Sequence, residues 1–228
     1  MTAPAPAGLD NPVAASLSGA HAQFAAVHGP ARRYRPEYSL FASVEDPQDP
    51  SHFAALAELL GEDLAIVAAS SLELGGHLEA GFSLPGFQML GDEVAAAPFA
   101  DAELLGVADA AEALALATLA QPGPFSERTI ELGTFVGVRD GRALVAMAGT
   151  RFDLGGIREL SGVATDPAYR GRGLARSLVR HLLYLERDAG RELVLHVAET
   201  NLGAIALYEQ MGFRHHQVIH FAQVHRPS

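Results

Sequence analysis

The sequence predicts an α/β protein, and three observations lead to this fold class. Apolar runs bounded by turn residues alternate with amphipathic segments along most of the 228 residues, as strands and helices do in such folds. An Asp-Gly pair at 140–141, between two apolar runs, predicts a β-hairpin. Hydrophobic residues make up 49% and charged residues 19% of the chain, which excludes a largely disordered protein.

The N-terminal half contains helical and strand segments but no motif that carries chemistry. Residues 1–12 are rich in Pro and Ala, and we expect them to be poorly ordered. The pattern predicts helices over 13–28 and 52–60, the second capped by Ser51 and ended by Gly61. Predicted strands cover 38–44, 64–69 and 82–90.

The C-terminal half predicts a helix followed by the order hairpin, strand, helix, strand, helix, strand. The first helix covers 109–120. In 173–188 leucines recur every four residues, which is typical of an amphipathic helix packed on a core. Asn201 is suited to cap a short helix over 202–211. Predicted strands cover 134–138, 143–150, 157–165, 193–198 and 213–224.

Charge is distributed unevenly along the chain. All 16 basic residues are Arg; residues 1–120 hold three of them against 16 acidic residues, whereas residues 121–228 hold 13 against 11. The total of −11 is unsuited to general nucleic-acid binding, so we expect no nucleic-acid partner. The absence of Cys excludes disulfides, thiol catalysis and Cys-based zinc sites.

Nothing in the sequence predicts contact with a membrane. The longest apolar runs, such as 64–69, are too short to cross a bilayer. The N-terminus lacks the basic and apolar regions of a signal peptide. We therefore expect a soluble, cytoplasmic protein.

The most informative segment is a turn rich in Gly and Arg at 170–176, which follows a strand and begins a helix. Glycines allow backbone N–H groups to approach a ligand, and a helix N-terminus adds unpaired donors. Such a turn is suited to a phosphate or pyrophosphate. A Walker A loop is excluded because the chain has no Lys, and a dinucleotide loop because Arg176 stands at its third glycine position.

Two motifs resemble the signatures of the GNAT N-acetyltransferase superfamily. VATDPAYRGRGLA at 163–175 resembles its acyl-CoA signature, Gln/Arg-x-x-Gly-x-Gly/Ala, through Arg170, Gly173 and Ala175. Asn201 and the segment LYEQMGF at 207–213 resemble its second signature. The resemblance covers residues 125–228. It implies a mixed, mostly antiparallel sheet with two splayed parallel strands, flanked by helices.

The resemblance also implies the partners, acetyl-CoA and an amine acceptor. Backbone amides of the turn would hold the pyrophosphate, and the strand before it would pair with the pantetheine arm. Gly162 suits a bulge at the point where the two parallel strands separate, with simple close packing as the alternative. The implied cofactor-binding residues are Val163, Ala164, Thr165, Arg170, Gly171, Arg172, Gly173, Leu174, Ala175, Arg176 and Asn201.

Two residues are implied as catalytic, each with a structural alternative. Tyr208 would protonate the leaving thiolate, the alternative being an ordinary core tyrosine. Glu159 would deprotonate the amine, the alternative being a solvated carboxylate at a strand end; His196 and Glu199 are weaker candidates for the base. A backbone N–H near Val163 would stabilise the oxyanion.

The organisation into two halves leaves several alternatives open. Residues 106–228 would be the catalytic domain, and residues 1–105 an α/β region that is either a degenerate copy of the same fold or a lid that contacts the acceptor. This arrangement resembles the branch with glycine N-acyltransferase-like proteins.

The acceptor, the oligomeric state and the function also have open alternatives. The acidic N-terminal half favours a cationic acceptor. Exposed strand edges favour a homodimer. A non-catalytic acyl-CoA sensor is the alternative function. Strand alternation separates the C-terminal histidines, so we expect no metal site.

Overall fold

The computed structural model of the protein describes residues 8–227. Within them all strands form a single sheet of eleven, in the order β1-β2-β3-β4-β11-β5-β10-β9-β8-β7-β6. The helices are α1 Pro12–Ser18, α2 Pro50–Leu60, α3 Ala110–Ala120, α4 Leu174–Asp188 and α5 Leu202–Met211. The strands are β1 Ala25–His28, β2 Ala31–Tyr34, β3 Phe41–Val44, β4 Ala65–Ala69, β5 Glu79–Leu90, β6 Glu103–Leu105, β7 Phe135–Asp140, β8 Ala143–Asp153, β9 Ile157–Thr165, β10 Glu192–Ala198 and β11 Arg214–His225.

The predicted fold class, with its mixed and mostly antiparallel sheet, is confirmed. Among the strand pairs of the described chain, two are parallel: β3 with β4, and β9 with β10. Each parallel pair is joined by a crossover helix, α2 in the first and α4 in the second. Parallel neighbours need such a connection, whereas the antiparallel pair β7 and β8 is closed by the predicted Asp-Gly turn.

The two halves of the chain interleave at the centre of the sheet. β5 of the N-terminal half pairs with β10, and β11 of the C-terminal half pairs with β4. β5 and β11 also pair with each other, from Arg214 opposite Leu90 to His225 opposite Glu79. The order of strands is therefore roughly two-fold symmetric about the β5–β11 pair, and the sheet continues without a break across the expected boundary at residue 105.

The main core lies beneath α4. Leu178, Val179, Leu182 and Leu183 are fully buried, as the leucine periodicity predicted, and they pack against residues of β8, β9 and β10. Burial of these side chains fixes α4 against the sheet. Its N-terminus is thereby held at the edge where β9 ends.

The N-terminal segment differs from the prediction. The helix expected over 13–28 ends at Ser18, and Ala25–His28 forms β1 instead, paired with β2. Gly19 interrupts the helical run, and a hairpin with β2 satisfies the backbone groups of 25–28. The poorly ordered stretch expected over 1–12 falls largely on residues 1–7, outside the described part of the chain, while Leu9 is buried.

Smaller differences concern helix caps and strand ends. Asp49, and not Ser51, caps α2, because its carboxylate accepts the backbone N–H of Ser51 and the helix starts at Pro50. The short edge strand β6 was not predicted. Within residues 8–227, no helix is long and apolar enough to cross a membrane.

Candidate active site

The site begins where the two parallel strands of the C-terminal half separate. β9 and β10 are paired from Ile157 to Leu160, and beyond Leu160 the two strands have no register in common. Gly162 follows with φ of +61°, and the register between β8 and β9 shifts at this point. The bulge predicted at Gly162 is therefore confirmed, and the alternative of close packing holds as well, because a Cβ atom added there would lie 3.0 Å from the ring of Phe135. Beyond Leu160 the unpaired ends of β9 and β10 leave a V-shaped cleft.

The predicted turn presents an uninterrupted set of free backbone donors at the outer end of this cleft. Gly171 and Gly173 have φ of +77° and +78°, a conformation that glycine adopts without strain, and a Cβ atom added to either would meet nothing within 4 Å. Within residues 8–227, the six consecutive N–H groups of 171–176 have no acceptor. This is the arrangement that holds a phosphate at a helix N-terminus.

The three arginines around the turn keep their positive charge uncompensated by any carboxylate of residues 8–227. Arg170 is exposed, Arg172 stacks over the ring of Tyr169 at 4.5 Å, and Arg176 donates to the side-chain oxygen of Gln210. The turn therefore combines neutral donors with free positive charge. These residues fit a pyrophosphate such as that of coenzyme A.

The cleft leads into a cavity of about 380 Å³. The residues predicted from the sequence that line this cavity are Glu159, Gly162, Val163, His196, Asn201 and Tyr208. Ala164 does not, because its side chain is buried on the opposite side, in the core beneath α3. The remaining cofactor candidates of the strand and turn, Thr165 and residues 170–176, lie outside the cavity, along the path from β9 to α4.

Tyr208 lies on α5, with its ring edge-on to Phe213 at 5.5 Å between ring centres. Burial raises the pKa of its phenol to about 12, so the hydroxyl keeps its proton at neutral pH. No hydrogen bond of this hydroxyl is found within residues 8–227, although it lines the cavity. Asn201 caps the same helix by accepting the N–H of Ala204. A protonated and unpaired phenol in a cleft is equipped to donate a proton.

Glu159 is fully engaged with neighbouring side chains. Arg151 binds both oxygens of the carboxylate, at 2.8 and 3.0 Å, and His196 Nδ1 lies 2.8 Å from Oε1. Burial alone would raise the pKa of this carboxyl, but the charge of Arg151 and the hydrogen bond from His196 outweigh it and lower the pKa to about 2. Such a carboxylate is a weak base, so the geometry argues against the predicted role of Glu159 in deprotonating the amine.

The protonation of His196 follows from its other neighbour. The Gln88 side-chain nitrogen lies 2.9 Å from the Leu9 carbonyl and 2.9 Å from His196 Nε2. Because a carbonyl only accepts, the Gln88 amide must present its NH₂ group to both. His196 Nε2 is therefore an acceptor, and its single proton lies on Nδ1, directed at Glu159. Both ring nitrogens are occupied, so His196 is not a free base either.

Sequence reasoning missed two members of this buried network, Arg151 and Gln88. Arg151 directly follows the apolar run 143–150 within β8. A charged residue at the end of such a run was the one signal that the sequence offered. Gln88 is separated by 79 residues from Leu9 and by 108 from His196, and no local pattern connects them.

The remaining candidate for the base is not part of the site. Glu199 is exposed and does not line the cavity. In the described chain, no group of three or more His, Asp or Glu side chains is arranged to hold a metal.

The fold has a close counterpart among known structures. A crystal structure from Novosphingobium aromaticivorans DSM 12444, assigned to the GNAT family of acetyltransferases, matches 98% of this chain and 100% of its own, with a TM-score of 0.90 and 32% identity. The chain belongs to the GNAT acetyltransferase family. The model of the acetyltransferase (GNAT) family matches residues 109–213, which contain the two motifs.

Named relatives in other organisms resemble parts of this GNAT protein. N-alpha-acetyltransferase RimI of Mycobacterium tuberculosis is 40% identical over 84 residues, which are 35% of this chain and 51% of that protein. Glucosamine 6-phosphate N-acetyltransferase of Trypanosoma brucei brucei is 28% identical over 160 residues, 68% of this chain and 92% of that protein. The chain thus spans about half the length of the RimI protein. Members of the GNAT family use acetyl-CoA as acyl donor, which fits the turn described above.

Proposed function

We propose that this protein is an acyl-CoA-dependent N-acetyltransferase, which transfers the acetyl group of acetyl-CoA to a primary amine. The observation that carries the proposal is the turn of six free N–H groups at one end of the cleft. It adjoins a cavity in which a protonated Tyr208 has no hydrogen-bond partner among the described residues. The acceptors of the named relatives, a protein N-terminus or a sugar amine, differ from each other and do not identify the one used here.

The residues of the chain have distinct roles in this reaction. Residues 170–176 bind the pyrophosphate, and Val163 on the open arm of β9 borders the thioester, with its backbone N–H available to the oxyanion. The amine nitrogen forms a bond to the acyl carbon and the carbon–sulfur bond breaks. Tyr208 donates its proton to the departing thiolate, the attacking nitrogen releases one proton to water in the cavity, and that water returns a proton to Tyr208, so the reaction is balanced.

Removal of the amine proton needs no strong base of the protein. We propose that Glu159 positions His196 and neutralises Arg151, and that the amine enters as its neutral form or loses its proton to water in the cavity. Entry into an apolar environment lowers the pKa of an ammonium group, which increases the neutral fraction. Glu159 acts in this account through its partners and does not touch the amine.

We also propose that residues 1–105 are a degenerate copy of the catalytic half, in an arrangement that resembles the branch with glycine N-acyltransferase-like proteins. The near two-fold order of the sheet supports this, because β3-α2-β4 occupies the position that corresponds to β9-α4-β10. In the N-terminal copy the segment between β3 and α2 carries Asp46 and Asp49 and no glycine. Such a segment repels a pyrophosphate, so acetyl-CoA would bind in one half alone.

The alternative function, a non-catalytic acyl-CoA sensor, is favoured by the absence of a free base at Glu159 and His196. Acetyl-CoA binding measured by calorimetry, together with CoA release on a panel of primary amines, separates the two functions. We expect binding and turnover on at least one class of amine. Binding without turnover on any amine would favour the sensor, and absence of binding would refute both.

A further inference from the structure

One side of the cavity is an apolar wall formed at the interleaved centre of the sheet. Its members lie on β3, β4, β5 and β11, so both halves of the chain contribute to it. The branched aliphatic and aromatic side chains of this wall are Phe41, Ile66, Phe82, Leu84 and Phe221. The cofactor-side residues of the cavity, by contrast, lie on β9, β10 and α5.

The apolar wall is continuous because its members are neighbours across strands. Phe41 is in register with Ile66, and Leu84 is in register with Phe221. Phe41 and Ile66 are buried, whereas Phe82 is 39% exposed. The wall therefore extends from the protein interior to the surface, with Phe82 at the outer end.

The charged groups that border the apolar wall compensate each other. Arg151 stacks on the ring of Phe41 at 4.3 Å, while its guanidinium is held by both oxygens of Glu159. At the other end the neutral ring of His196 lies edge-on to Phe221, 6.1 Å between centres. Among the described residues, the cavity lining has no other acidic or basic side chain. None of the acidic residues of the N-terminal half reaches it.

The compensated charges of the cavity lining discriminate between acceptors. A carboxylate, a phosphate or a second ammonium group on the acceptor would lose water in the cavity without gaining a charged partner, which is unfavourable. An apolar ring or branched chain would instead exchange water for the aromatic and aliphatic surface of the wall. The cavity volume of about 380 Å³ lies near the lower limit of small-molecule pockets, roughly 300–1,000 Å³.

We infer that the acceptor, given the proposed N-acetyltransferase function, is a small primary amine whose carbon skeleton is apolar and carries no further charge. Its skeleton packs against Phe41, Ile66 and Phe221, and its nitrogen faces the open arm of β9. The cationic acceptor suggested by the acidic N-terminal half is not supported by the cavity. The N-terminal half thus has a role in acceptor binding through the strands that it contributes.

A matched panel of amines tests this inference. The probes are 2-phenylethylamine, phenylalanine, spermidine and a short peptide with an N-terminal Phe, each assayed with acetyl-CoA. Phenylalanine differs from 2-phenylethylamine by its carboxylate, and spermidine replaces the ring with further ammonium groups. We expect kcat/KM for 2-phenylethylamine to exceed that of each other probe by about 100-fold or more.

Variants of the exposed member of the wall supply a second readout. Phe82→Ser should raise the KM for 2-phenylethylamine about tenfold or more and leave the Kd for acetyl-CoA unchanged. Phe82→Asp should in addition improve kcat/KM for spermidine, because it places an uncompensated anion in the wall. The control is Tyr184→Ser, an aromatic side chain on α4 that is 45% exposed and lies outside the cavity. It should change neither constant.

The outcomes distinguish this inference from the proposed function. Efficient acetylation of phenylalanine, spermidine or the peptide, with 2-phenylethylamine a poor substrate, would overturn the apolar acceptor and leave the N-acetyltransferase function intact. Equal KM values for wild type and Phe82→Ser would also overturn it. Acetyl-CoA binding without transfer to any probe or other amine would refute the function and the acceptor class together.

Discussion

At the scale of single residues, the turn before α4 depends on backbone conformation as much as on charge. Gly171 and Gly173 adopt a left-handed conformation, and the N–H groups of the turn have no acceptor in the part of the chain that the structure describes. Sequence alone could locate these donors, because the glycines and the helix they precede are adjacent in the chain. It could not locate the network around Glu159, because Arg151, Gln88 and His196 come from three strands.

Gly173→Asp should abolish acetyl-CoA binding. The substituted side chain would place a negative charge beside the pyrophosphate and strain a residue with φ of +78°. We expect the Kd to rise by about 100-fold or more, which corresponds to about 2.7 kcal/mol, measured by calorimetry.

Gly190→Asp is the matched control for Gly173→Asp. Gly190 follows the other end of α4, has φ of +74°, and likewise has no atom within 4 Å of an added Cβ. It should show a similar cost in stability and an unchanged Kd for acetyl-CoA. An equal loss of affinity in both variants would mean that strain, and not the position at the turn, is responsible.

Glu159→Gln should change how stability depends on pH. The folded-state pKa of Glu159 is lowered from 4.5 to about 2, so its contribution is fully present above pH 4.5 and is lost as the pH falls toward 2. This contribution amounts to roughly 3 kcal/mol. The difference in unfolding free energy between wild type and variant, from urea titrations, should therefore shrink by a similar amount between pH 7 and pH 2.5. A difference independent of pH would contradict the ion pair.

At the scale of elements, local periodicity determined which predictions succeeded. The bounds predicted for β9 and α5 agree with the structure, since each carries its own strand or helix pattern and its own turn or cap residues. The helix predicted over 13–28 was wrong because residues 25–28 form a strand through pairing with β2, a partner that no pattern within the segment reveals.

Leu182→Ala tests the packing that holds α4 and its N-terminal turn in place. Leu182 is fully buried, so its truncation leaves a cavity and should cost about 2–5 kcal/mol in unfolding free energy. Leu202→Ala is the control, because Leu202 is 73% exposed and should cost less than about 0.5 kcal/mol. Equal unfolding free energies of wild type and Leu182→Ala in urea titrations would show that α4 is not anchored by this face.

At the scale of the whole molecule, the sheet unites the acidic and the basic halves of the chain. The resemblance predicted the splayed pair β9 and β10. The exchange of strands between the halves, in which β5 pairs with β10 and with β11, could not be predicted, because it joins strands more than 100 residues apart in sequence. The exchange is what brings the apolar wall to the cleft. The expected homodimer stays a prediction, with β1 and β6 as the two edges of the described sheet.

The central claim is that acetyl transfer occurs in this cleft with Tyr208 as the acid. The most direct test compares wild type with Tyr208→Phe in steady-state transfer from acetyl-CoA to an accepted amine, with Tyr184→Phe as control. We predict that kcat falls by about 10² to 10⁴ in Tyr208→Phe, while the Kd for acetyl-CoA stays within about threefold and the control is unchanged. A kcat equal to that of wild type would contradict the claim.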